Sequence, residues 1–415
     1  MREMKDSGIE WIGECPSAWN MYTIGSLFAV RNDKVSDTEY EPLSVTRQGI
    51  LPQLENVAKS DANDNRKKVL AGDFVINSRS DRKQSCGVSP LDGSVSLICT
   101  ALYPRDTEII DAQYPNYLMK NYGFAEEFYR WGHGIVADLW TTRWQEMKSI
   151  TLPLPSVYEQ RRIIDALDTK CAQVDTLIAN VQAQIEKLKA YKQSLITEVV
   201  TKGLDPTVPM KDSGVEWIGS IPAHWETLNF KYIATIKSNL VDPSQYLEYP
   251  QISPENIEKG SGRLLPCRTV KEVGVESNNH LFFRGQIIYS KVRPILNKVT
   301  IAPFDGLCSA DMYPIETGIN KKYLVYLMLS NAFLTQVKLV TENRVKMPKI
   351  NQEEIARIIV CCPTSKEQED IARLLDEKCA QIDRLIAIKQ AKIEKLEQYK
   401  RSLIYEYVTG KREVV

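Results

Sequence analysis

The side chains of this sequence best suited to chemistry are Arg, Lys, Asn and Gln grouped in short polar segments. A guanidinium or ammonium group can pair with a phosphate or with guanine, and a side-chain amide matches the hydrogen-bonding edge of adenine. The richest segment, NSRSDRKQ at 77–84, directly follows the apolar, strand-like run FVI. Loops of this composition at the end of a strand predict a surface that hydrogen-bonds to planar polar ligands such as base edges.

The predicted contact residues lie in three segments of each half of the chain. They are Arg47, Gln48, Asn77, Arg79, Arg82, Lys83, Gln84 and Arg143 in the first half, and Asn256, Lys259, Arg263, Lys291, Arg293, Asn297, Lys298, Arg344, Lys346 and Lys349 in the second. Taken singly, each could equally be a solvated loop side chain. Taken together, the clusters favour a binding surface.

The overall charge gives no general attraction to nucleic acid, since 53 basic residues balance 53 acidic ones. Residues 226–363 contain 17 basic and 13 acidic side chains, whereas residues 20–155 contain 15 and 17. Local positive charge, or phosphate contacts supplied by a partner, would therefore have to hold DNA. No run of about 18 apolar residues is present, so we expect no membrane-spanning helix and no membrane partner.

No motif of a catalytic or metal site stands out. His133, His224 and His280 are too few and too scattered for a metal centre, and the nine cysteines include no Cys-x-x-Cys pair. The sequence has no Gly-x-x-x-x-Gly-Lys-[Ser/Thr] loop, no Gly-x-Gly-x-x-Gly loop, and no Asn/Asp-Pro-Pro-Tyr/Phe motif of amino-methyltransferases. We therefore expect a chain that is not an enzyme, binds no metal or cofactor itself, and keeps its cysteines reduced in the cytoplasm.

The chain is an internal repeat of two similar halves. Residues 4–13 (MKDSGIEWIG) recur as residues 210–219 (MKDSGVEWIG), and KCAQVD at 170–175 recurs as KCAQID at 378–383. Two matches in nearly the same register predict two structurally equivalent units. The repeated tryptophans, which are Trp11, Trp19, Trp217 and Trp225, are expected to be core anchors.

Between these matches the halves diverge in sequence but keep a common pattern of elements. An apolar strand that ends in polar residues is predicted near 72–79 and again near 285–291. A helical segment is predicted near 114–130 and again near 321–340. The variable portions are therefore expected to share an α+β fold and to differ in their loops.

A long heptad pattern follows each variable portion. Apolar residues recur at alternating steps of four and three over about 38 residues, or roughly 57 Å, as in a coiled coil. The predicted seam residues are Leu167, Cys171, Val174, Ile178, Val181, Ile185, Leu188, Leu375, Cys379, Ile382, Ile386, Ile393, Leu396 and Leu403. Because a lone amphipathic helix is marginally stable in water, we expect the two helices to form an antiparallel, pseudo-twofold pair. The alternative is that each is an ordinary core helix of its own domain.

This organisation resembles the specificity subunit of type I restriction–modification systems, over nearly the whole chain. The residues that carry the resemblance are 5–13 with Pro16 and Trp19, their second copy through Pro222 and Trp225, and LPLP at 152–155 with Glu159 and Gln160. The second copy keeps EQ at 367–368, but it has CCP at 361–363 where the family usually has a Pro-rich apolar turn.

The resemblance implies the division of the chain and the roles of its parts. It implies target recognition domains of mixed sheet and helix at 1–155 and 206–363, a central helix at 156–205 and a distal helix at 364–415. Each domain would read a short sequence of double-stranded DNA, giving an asymmetric bipartite site with a fixed non-specific gap. The helices would dock two methyltransferase subunits, and restriction subunits would join through the complex. S-adenosylmethionine, ATP and magnesium would belong to those partners, in a bacterial or archaeal cytoplasm.

Two other functions stay open at this point. A fragment of a fused restriction or methylation enzyme would require a nuclease or methyltransferase motif. A coiled-coil adaptor that binds only proteins would leave two differing polar-loop domains without a use. Methyl transfer by the chain alone would indicate the enzyme, and an absence of sequence preference in DNA binding would indicate the adaptor.

Overall fold

The computed structural model describes residues 2–53, 64–79, 82–134, 140–344 and 346–414. The chain divides into two compact units: unit 1 is Met1–Val181 with Ala391–Val415, and unit 2 is Gln182–Gln390. The unit boundaries fall inside two long helices, α5 (Val157–Lys202) and α10 (Ser365–Val408). The predicted division at 155, 205 and 363 stays a prediction, because each long helix contributes residues to both units.

Unit 1 is built from short antiparallel strands. They are β1 (Met4–Asp6), β2 (Glu14–Pro16), β3 (Asn20–Thr23), β4 (Phe28–Arg31), β5 (Lys34–Val35), β6 (Leu43–Thr46), β7 (Gly49–Pro52), β8 (Arg66–Val69), β9 (Phe74–Asn77), β10 (Cys86–Val88), β11 (Gly93–Val95), β12 (Cys99–Pro104) and β13 (Thr151–Leu154). One sheet has the order β10-β9-β12-β4 and another the order β11-β8-β5, while β1-β2, β3-β13 and β6-β7 form two-stranded pairs.

In the described part of unit 1, four short α-helices complete the domain. They are α1 (Ile24–Leu27), α2 (Pro115–Leu118), α3 (Tyr122–Arg130) and α4 (Trp144–Met147). The core joins Phe74 of the sheet and Phe124 of α3 to Leu167 and Cys171 of α5 and Leu403 of α10. The first turns of α5 and the last turns of α10 are therefore part of this core.

Unit 2 repeats this plan with its own sheets. Its strands are β14 (Met210–Asp212), β15 (Ser220–Pro222), β16 (Glu226–Asn229), β17 (Ala234–Ile236), β18 (Leu240–Val241), β19 (Gln251–Ile252), β20 (Asn279–Phe282), β21 (Ile287–Ser290), β22 (Val299–Ile301), β23 (Gly306–Cys308), β24 (Met312–Thr317) and β25 (Ile359–Cys362). Its short helices are α6 (Val270–Val273), α7 (Lys321–Leu329), α8 (Asn331–Thr341) and α9 (Gln352–Ala356). The sheets have the orders β17-β24-β21-β22 and β18-β20-β23-β19, beside the pairs β14-β15 and β16-β25.

The repeated sequences form equivalent elements in the two units. The hairpin β1-β2 pairs Met4 with Pro16, and β14-β15 pairs Met210 with Pro222. The predicted strands near 72–79 and 285–291 are β9 and β21, and each pairs antiparallel with a long neighbour, β12 or β24. The α+β class with long helices is therefore confirmed.

Each predicted helical segment of the variable portions is broken in two. Asn121 caps α3 by accepting a hydrogen bond from the Gly123 amide, so the segment near 114–130 becomes α2 and α3. Ser330 has an extended backbone and accepts from the Phe333 amide, so the segment near 321–340 becomes α7 and α8. In the described part of the chain no single helix is long and apolar enough to span a membrane, although α7 and α8, bent by 58°, pass that test together.

An Asp-Gly dipeptide occurs at 92–93 and again at 305–306, and at both places two chain segments approach each other closely. A Cβ atom on Gly93 would lie 2.6 Å from the Glu41 carbonyl oxygen. A Cβ atom on Gly306 would lie 2.5 Å from the Pro250 carbonyl oxygen and 2.7 Å from Phe282. Only glycine fits at these two positions, because a neighbouring backbone occupies the space of a side chain.

We expect the substitution Gly306→Ala to destabilise unit 2 by about 1–3 kcal/mol, because the backbone of Pro250 and the ring of Phe282 must both move. Gly318→Ala is the matched control in the same unit, since a Cβ atom there would have no neighbour within 4 Å. Urea unfolding of the two variants measures the difference. Equal midpoints and slopes for both would contradict the close-approach explanation.

The two long helices run antiparallel within unit 2. Lys389 of α10 donates to Gln184 of α5 at 2.6 Å, and Lys192 of α5 lies 2.7 Å from Asp383 of α10. From Gln184 to Lys192 along α5, the contacted residue of α10 changes from Lys389 back to Asp383. The two helices therefore run in opposite directions. The helices have 46 and 44 residues, so they are longer than the heptad pattern predicts, and α5 extends about 69 Å.

The heptad stripe lies on the inner face of these helices. In unit 1, Lys400 of α10 lies 2.7 Å from Asp175 of α5, which is the repeat equivalent of the contact between Lys192 and Asp383. The predicted seam residues are buried, except for Ile178, Leu188, Ile386 and Leu396, which are half-buried. The extra length comes from the helix ends, where Ile196 and Ile371 are buried in the core of unit 2.

A repeated Glu-Gln pair joins the start of each long helix to its domain. Gln160 is fully buried and donates to the carbonyl oxygens of Ile109 and Pro155, both at 2.9 Å. Gln368 is likewise buried and donates to Pro363 at 2.9 Å. The sequence CCP at 361–363 therefore leaves this contact intact, because Gln368 donates to the backbone carbonyl of Pro363.

The repeated tryptophans differ in their burial. Trp19 and Trp225 are 2% and 1% exposed, as expected of core anchors. Burial would raise the pKa of Glu367, but hydrogen bonds from Trp225, Thr364 and His224 lower it to about 2. Trp217 is 38% exposed, so its prediction as a core anchor is wrong.

Candidate nucleic-acid interface

Backbone pairing in unit 2 joins two predicted contact segments that lie far apart in the sequence. Val292, just after β21, forms an isolated antiparallel bridge with Lys349, just before α9. The Arg293 amide donates to the Pro348 carbonyl at 2.8 Å, and the Ile350 amide donates to the Lys291 carbonyl at 3.0 Å. The segment at 290–298 and the described residues 343–344 and 346–349 therefore form one surface at the end of β21, whereas Val345 lies outside the described residues.

The third predicted segment of unit 2 lies against the same turn. The Gly260 amide donates to the Asn297 carbonyl at 3.1 Å, and Lys298 Nζ donates to the Pro254 carbonyl at 2.6 Å. Tertiary contacts thus bring all three segments of unit 2 together. Their exposed basic side chains are Lys259, Arg263, Arg293, Arg344, Lys346 and Lys349.

Two predicted asparagines of unit 2 have structural contacts instead. Asn297 is 4% exposed and has a left-handed backbone (φ +47°) that closes the turn after Pro294–Leu296. Asn256 accepts from the Ser253 amide at 2.9 Å and donates to the Pro266 carbonyl at 3.0 Å. Asn297 is therefore a residue of the fold rather than of the candidate surface, because a buried amide cannot reach a base edge.

Carboxylates pair with several basic residues of the unit 2 surface. Asp311 Oδ1 lies 2.8 Å from Lys349 Nζ and 3.9 Å from Lys291 Nζ. Glu354 forms a bidentate ion pair with Arg344. Burial would raise the pKa of Glu354, but the hydrogen bonds from Arg344 and Asn351 lower it below its ordinary value. The surface is thus less positive than its basic residues suggest.

Other cations of unit 2 have no such partner. Among the described residues, the side chains of Lys259, Arg293 and Lys346 make no hydrogen bond or ion pair. Arg293 has a left-handed backbone (φ +46°), which is uncommon for a side chain of this size. Its exposed guanidinium is free to contact a ligand at the point where the two segments cross.

Unit 1 has the equivalent junction. Arg79, just after β9, forms an isolated bridge with Thr141, and the Thr142 amide donates to the Ser78 carbonyl at 3.0 Å. The loop after β9 and the loop before α4 therefore meet, as do the loops after β21 and before α9 in unit 2. Thr141 and Thr142 were not predicted to be contact residues, because threonine by itself does not indicate a binding site. The equivalence of β9 and β21 in the internal repeat was the one signal that could have identified this junction.

Arg47, Lys83 and Gln84 form a second group of predicted residues in unit 1. Arg47 Nε donates to the Lys83 carbonyl at 3.2 Å, and Lys83 Nζ lies 2.9 Å from Glu126. Arg47 and Gln84 line a groove of about 1110 Å³ within unit 1, which also contains the half-buried Lys120. The sequence did not single out Lys120, because an isolated lysine in a helical segment carries no pattern. Ser80 and Asp81 of the 77–84 segment lie outside the described residues.

Arg143 lies beside a different cavity from Arg47. This cavity has a volume of about 450 Å³ and is lined by Arg143, Gln145, Asn32 and Lys67 among others. Burial lowers the pKa of Lys67, whose ammonium group donates to the Cys99 carbonyl at 2.7 Å. Sequence patterns could not identify Lys67, since it lies within strand β8.

The predicted contact residues thus differ in their exposure. The exposed ones are Arg47, Gln48, Arg82, Arg143, Lys259, Arg263, Arg293, Arg344, Lys346 and Lys349. The half-buried ones are Asn77, Arg79, Lys83, Gln84, Asn256, Lys291 and Lys298. No group of His, Cys, Asp and Glu in the described ranges could hold a metal ion.

Comparison with known proteins gives consistent matches. Residues 222–398 match the family described as "Type I restriction modification DNA specificity domain". The chain is 36% identical over 253 residues to the type I restriction enzyme EcoDI specificity subunit of Escherichia coli, an alignment that covers 57% of each protein. It is 26% identical over 286 residues to the MjaVIII specificity subunit of Methanocaldococcus jannaschii, covering 64% of this chain and 62% of that protein. These alignments thus span less than two thirds of each relative.

The fold agrees over almost the whole chain with that of a solved protein. A chain from a structure described as "Structural basis underlying complex assembly and conformational transition of the type I R-M system" superposes with a TM-score of 0.71. The superposition covers 96% of this chain and 99% of that one, at 14% identity. Residues 222–398 thus match the DNA specificity domain of type I restriction–modification systems, and the chain is similar in sequence to specificity subunits of such systems.

Proposed function

We propose that this chain reads a bipartite sequence of double-stranded DNA for a type I restriction–modification enzyme and catalyses no reaction itself. One observation carries the proposal. In each unit, a basic loop at the end of a buried strand is joined by backbone pairing to a second predicted segment more than fifty residues away. Each unit would read one part of the site, and differing loops would read different sequences.

The exposed side chains of these junctions suit the reading of base edges. In unit 2, Arg293 is exposed and its backbone amide donates to the Pro348 carbonyl, so its backbone is anchored where the two segments pair. Arg and Lys contact guanine O6 and N7, and a good bidentate pair contributes about 1–3 kcal/mol of discrimination. The other exposed cations would contact phosphates, which position the protein without conferring sequence specificity.

The long helices would set the non-specific gap between the two parts of the site. Each is a continuous α-helix, and buried heptad residues support the pairing within each unit. A paired helix resists bending, so a distance measured along it is well defined. The expected gap of one to two duplex turns corresponds to about 34–70 Å, which is comparable to the length of α5, about 69 Å.

The outer faces of the helices would dock two methyltransferase subunits. Leu177 and Leu385 occupy equivalent repeat positions and are 48% and 47% exposed. Tyr191 and Tyr399 form a second equivalent pair, 58% and 50% exposed. Repeated apolar residues exposed at equivalent positions favour two copies of one partner. Restriction subunits would join through that complex, in the cytoplasm of a bacterium or archaeon.

The chemistry of the complex would belong to its other subunits. Methyl transfer would use S-adenosylmethionine, and DNA translocation and cleavage would use ATP and magnesium. This chain's own residues would bind and orient the DNA.

Methylation mapping of the host genome tests the proposal. Deleting the gene for this chain should remove one bipartite methylated adenine motif, and restoring the gene should restore that motif. In a gel-shift assay, the chain with its methyltransferase partner should prefer a duplex containing the motif over a random duplex. No preference would favour the protein-only adaptor, and methyl transfer by the purified chain alone would favour a fused enzyme.

A further inference from the structure

Two carboxylates of unit 2 hold cations of the candidate surface through contacts that span long stretches of sequence. Asp311 precedes β24 and contacts Lys349 at 2.8 Å and Lys291 at 3.9 Å. Glu354 lies in α9 and forms a bidentate pair with Arg344. We call Asp311 and Glu354 the acidic pair.

The acidic pair occupies the junction itself rather than its surroundings. The Lys291 amide donates to the Asp311 carbonyl at 3.0 Å, so the side chain of Asp311 starts beside the loop after β21. Arg344 also donates to the Lys349 carbonyl, which belongs to the residue bridged to Val292. The carboxylates therefore contact cations of both paired segments.

We propose that the acidic pair competes with DNA phosphates for the same cations and thereby weakens sequence-independent DNA binding by unit 2. The inference rests on the proposed DNA-reading function and adds to it two residues that weaken its phosphate contacts. Lys349, Lys291 and Arg344 are neutralised by Asp311 and Glu354 when DNA is absent. A duplex must displace these carboxylates before its phosphates can contact the same cations.

The physical consequence concerns the sequence-independent part of binding. On any duplex, a phosphate that contacts Lys349, Lys291 or Arg344 must first displace a carboxylate, so the contact is weaker than one made to an unpaired cation. This cost does not depend on the base sequence, so it lowers the affinity for random DNA and for the target by a similar factor. Exposed ion pairs are weak, so that factor is modest. The balanced charge of the chain, 53 basic and 53 acidic residues, fits this arrangement.

Glu354 allows a substitution that separates its charge from its structural contact. It is the third residue of α9, and its Oε2 accepts from the Asn351 amide at 2.9 Å in a capping box. Glutamine serves equally well at that position of a capping box. Glu354→Gln therefore keeps the cap of α9 and removes the negative charge that holds Arg344.

The experiment compares two double variants of the full chain assembled with its methyltransferase partner. The test variant is D311N/E354Q. The control is E353Q/E316Q, which removes the same charge. Glu353 is exposed next to Glu354, and Glu316 pairs with Lys237 at 3.2 Å near the opposite end of β24. Dissociation constants are measured for a random duplex and for the target duplex over a salt series.

For D311N/E354Q we expect binding to the random duplex to tighten roughly tenfold, with a salt slope steeper by about 0.9 for each cation released. Target affinity should rise by a similar factor, because the same exchange of carboxylate for phosphate is removed from both complexes. The single variants and the thermal unfolding midpoint show whether each substitution leaves the fold unchanged. D311N and E354Q should each give part of the effect.

Two other outcomes overturn the inference in different ways. If wild-type complex prefers its target and the two double variants bind random DNA with equal affinity and slope, the acidic pair has no special role. If the wild-type complex shows no sequence preference at all, the proposed function fails and the inference fails with it.

Discussion

Four residues inserted into both α5 and α10 are expected to lengthen the gap in the methylated DNA motif by one to two base pairs. The insertion adds about 6 Å to each helix, and base pairs are stacked about 3.4 Å apart. Coiled coils accommodate four extra residues as a local change in winding. The sequences read on each side of the gap should stay the same, because the insertions leave both domains unaltered.

The insertions are best placed after Val181 and after Gln390, where the chain passes from one compact unit to the other. The core of each unit then stays intact. Methylation mapping of cells that express the variant, with wild-type chain as reference, gives the gap directly. Four residues appended to the C-terminus provide a control of equal length. A variant that methylates the original motif would show that the helices do not set the gap.

Replacing Leu385 and Ile388 by aspartate is expected to prevent assembly with the methyltransferase subunit. These side chains are 47% and 66% exposed and lie three residues apart, hence on one face of α10. Truncating a hot-spot residue at the centre of an interface costs about 2 kcal/mol or more, a loss of at least roughly 30-fold in affinity. The introduced charges would add a desolvation penalty to that loss.

The same substitutions should leave the fold almost unchanged, since both side chains are exposed in the chain by itself. Ala387→Asp places one charge at an exposed position of the same helical turn but on a different face, and serves as the control. Sedimentation of the mixed subunits measures assembly, and methylation of target DNA reports its consequence. Normal assembly of the Leu385→Asp/Ile388→Asp variant would place the docking surface elsewhere.

The two predictions address separate parts of the proposed function. The insertion tests whether the helices determine distance, and the aspartate substitutions test whether an outer helix face binds a partner. If only the aspartate substitutions give the unexpected result, the chain could still read a bipartite site and bind its partner through another surface. If only the insertion gives the unexpected result, the chain would still bind DNA and a partner, but the gap would be set by another part of the complex.

Local and periodic features of the sequence were sufficient for the architecture. The repeat of MKDSG-EWIG and of KCAQ-D predicts two equivalent units, because the same side-chain pattern selects the same local geometry twice. The heptad spacing predicts the buried stripe from Leu167 to Ile185, since residues at these steps fall on one helix face. Strand β9 and the polar residues that follow it are likewise predicted by the local sequence alone.

The functional surface needed the tertiary structure, because its contacts join residues that no local pattern relates. The bridge between Val292 and Lys349 depends on how the chain returns after α7 and α8. The ion pair of Asp311 with Lys349 depends on the same return. Its residue type predicted Asn297 to be a contact residue. Its left-handed backbone and its burial show that it has a structural role instead.

The sequence by itself thus determined the repeat, the helices and the strand ends, all of which follow from side-chain periodicity within one segment. The tertiary structure decided which of the predicted polar residues lie together, which are buried, and which cations are already paired. Those properties arise from contacts between segments, and a charge that is paired across such a contact looks identical in the sequence to one that is free.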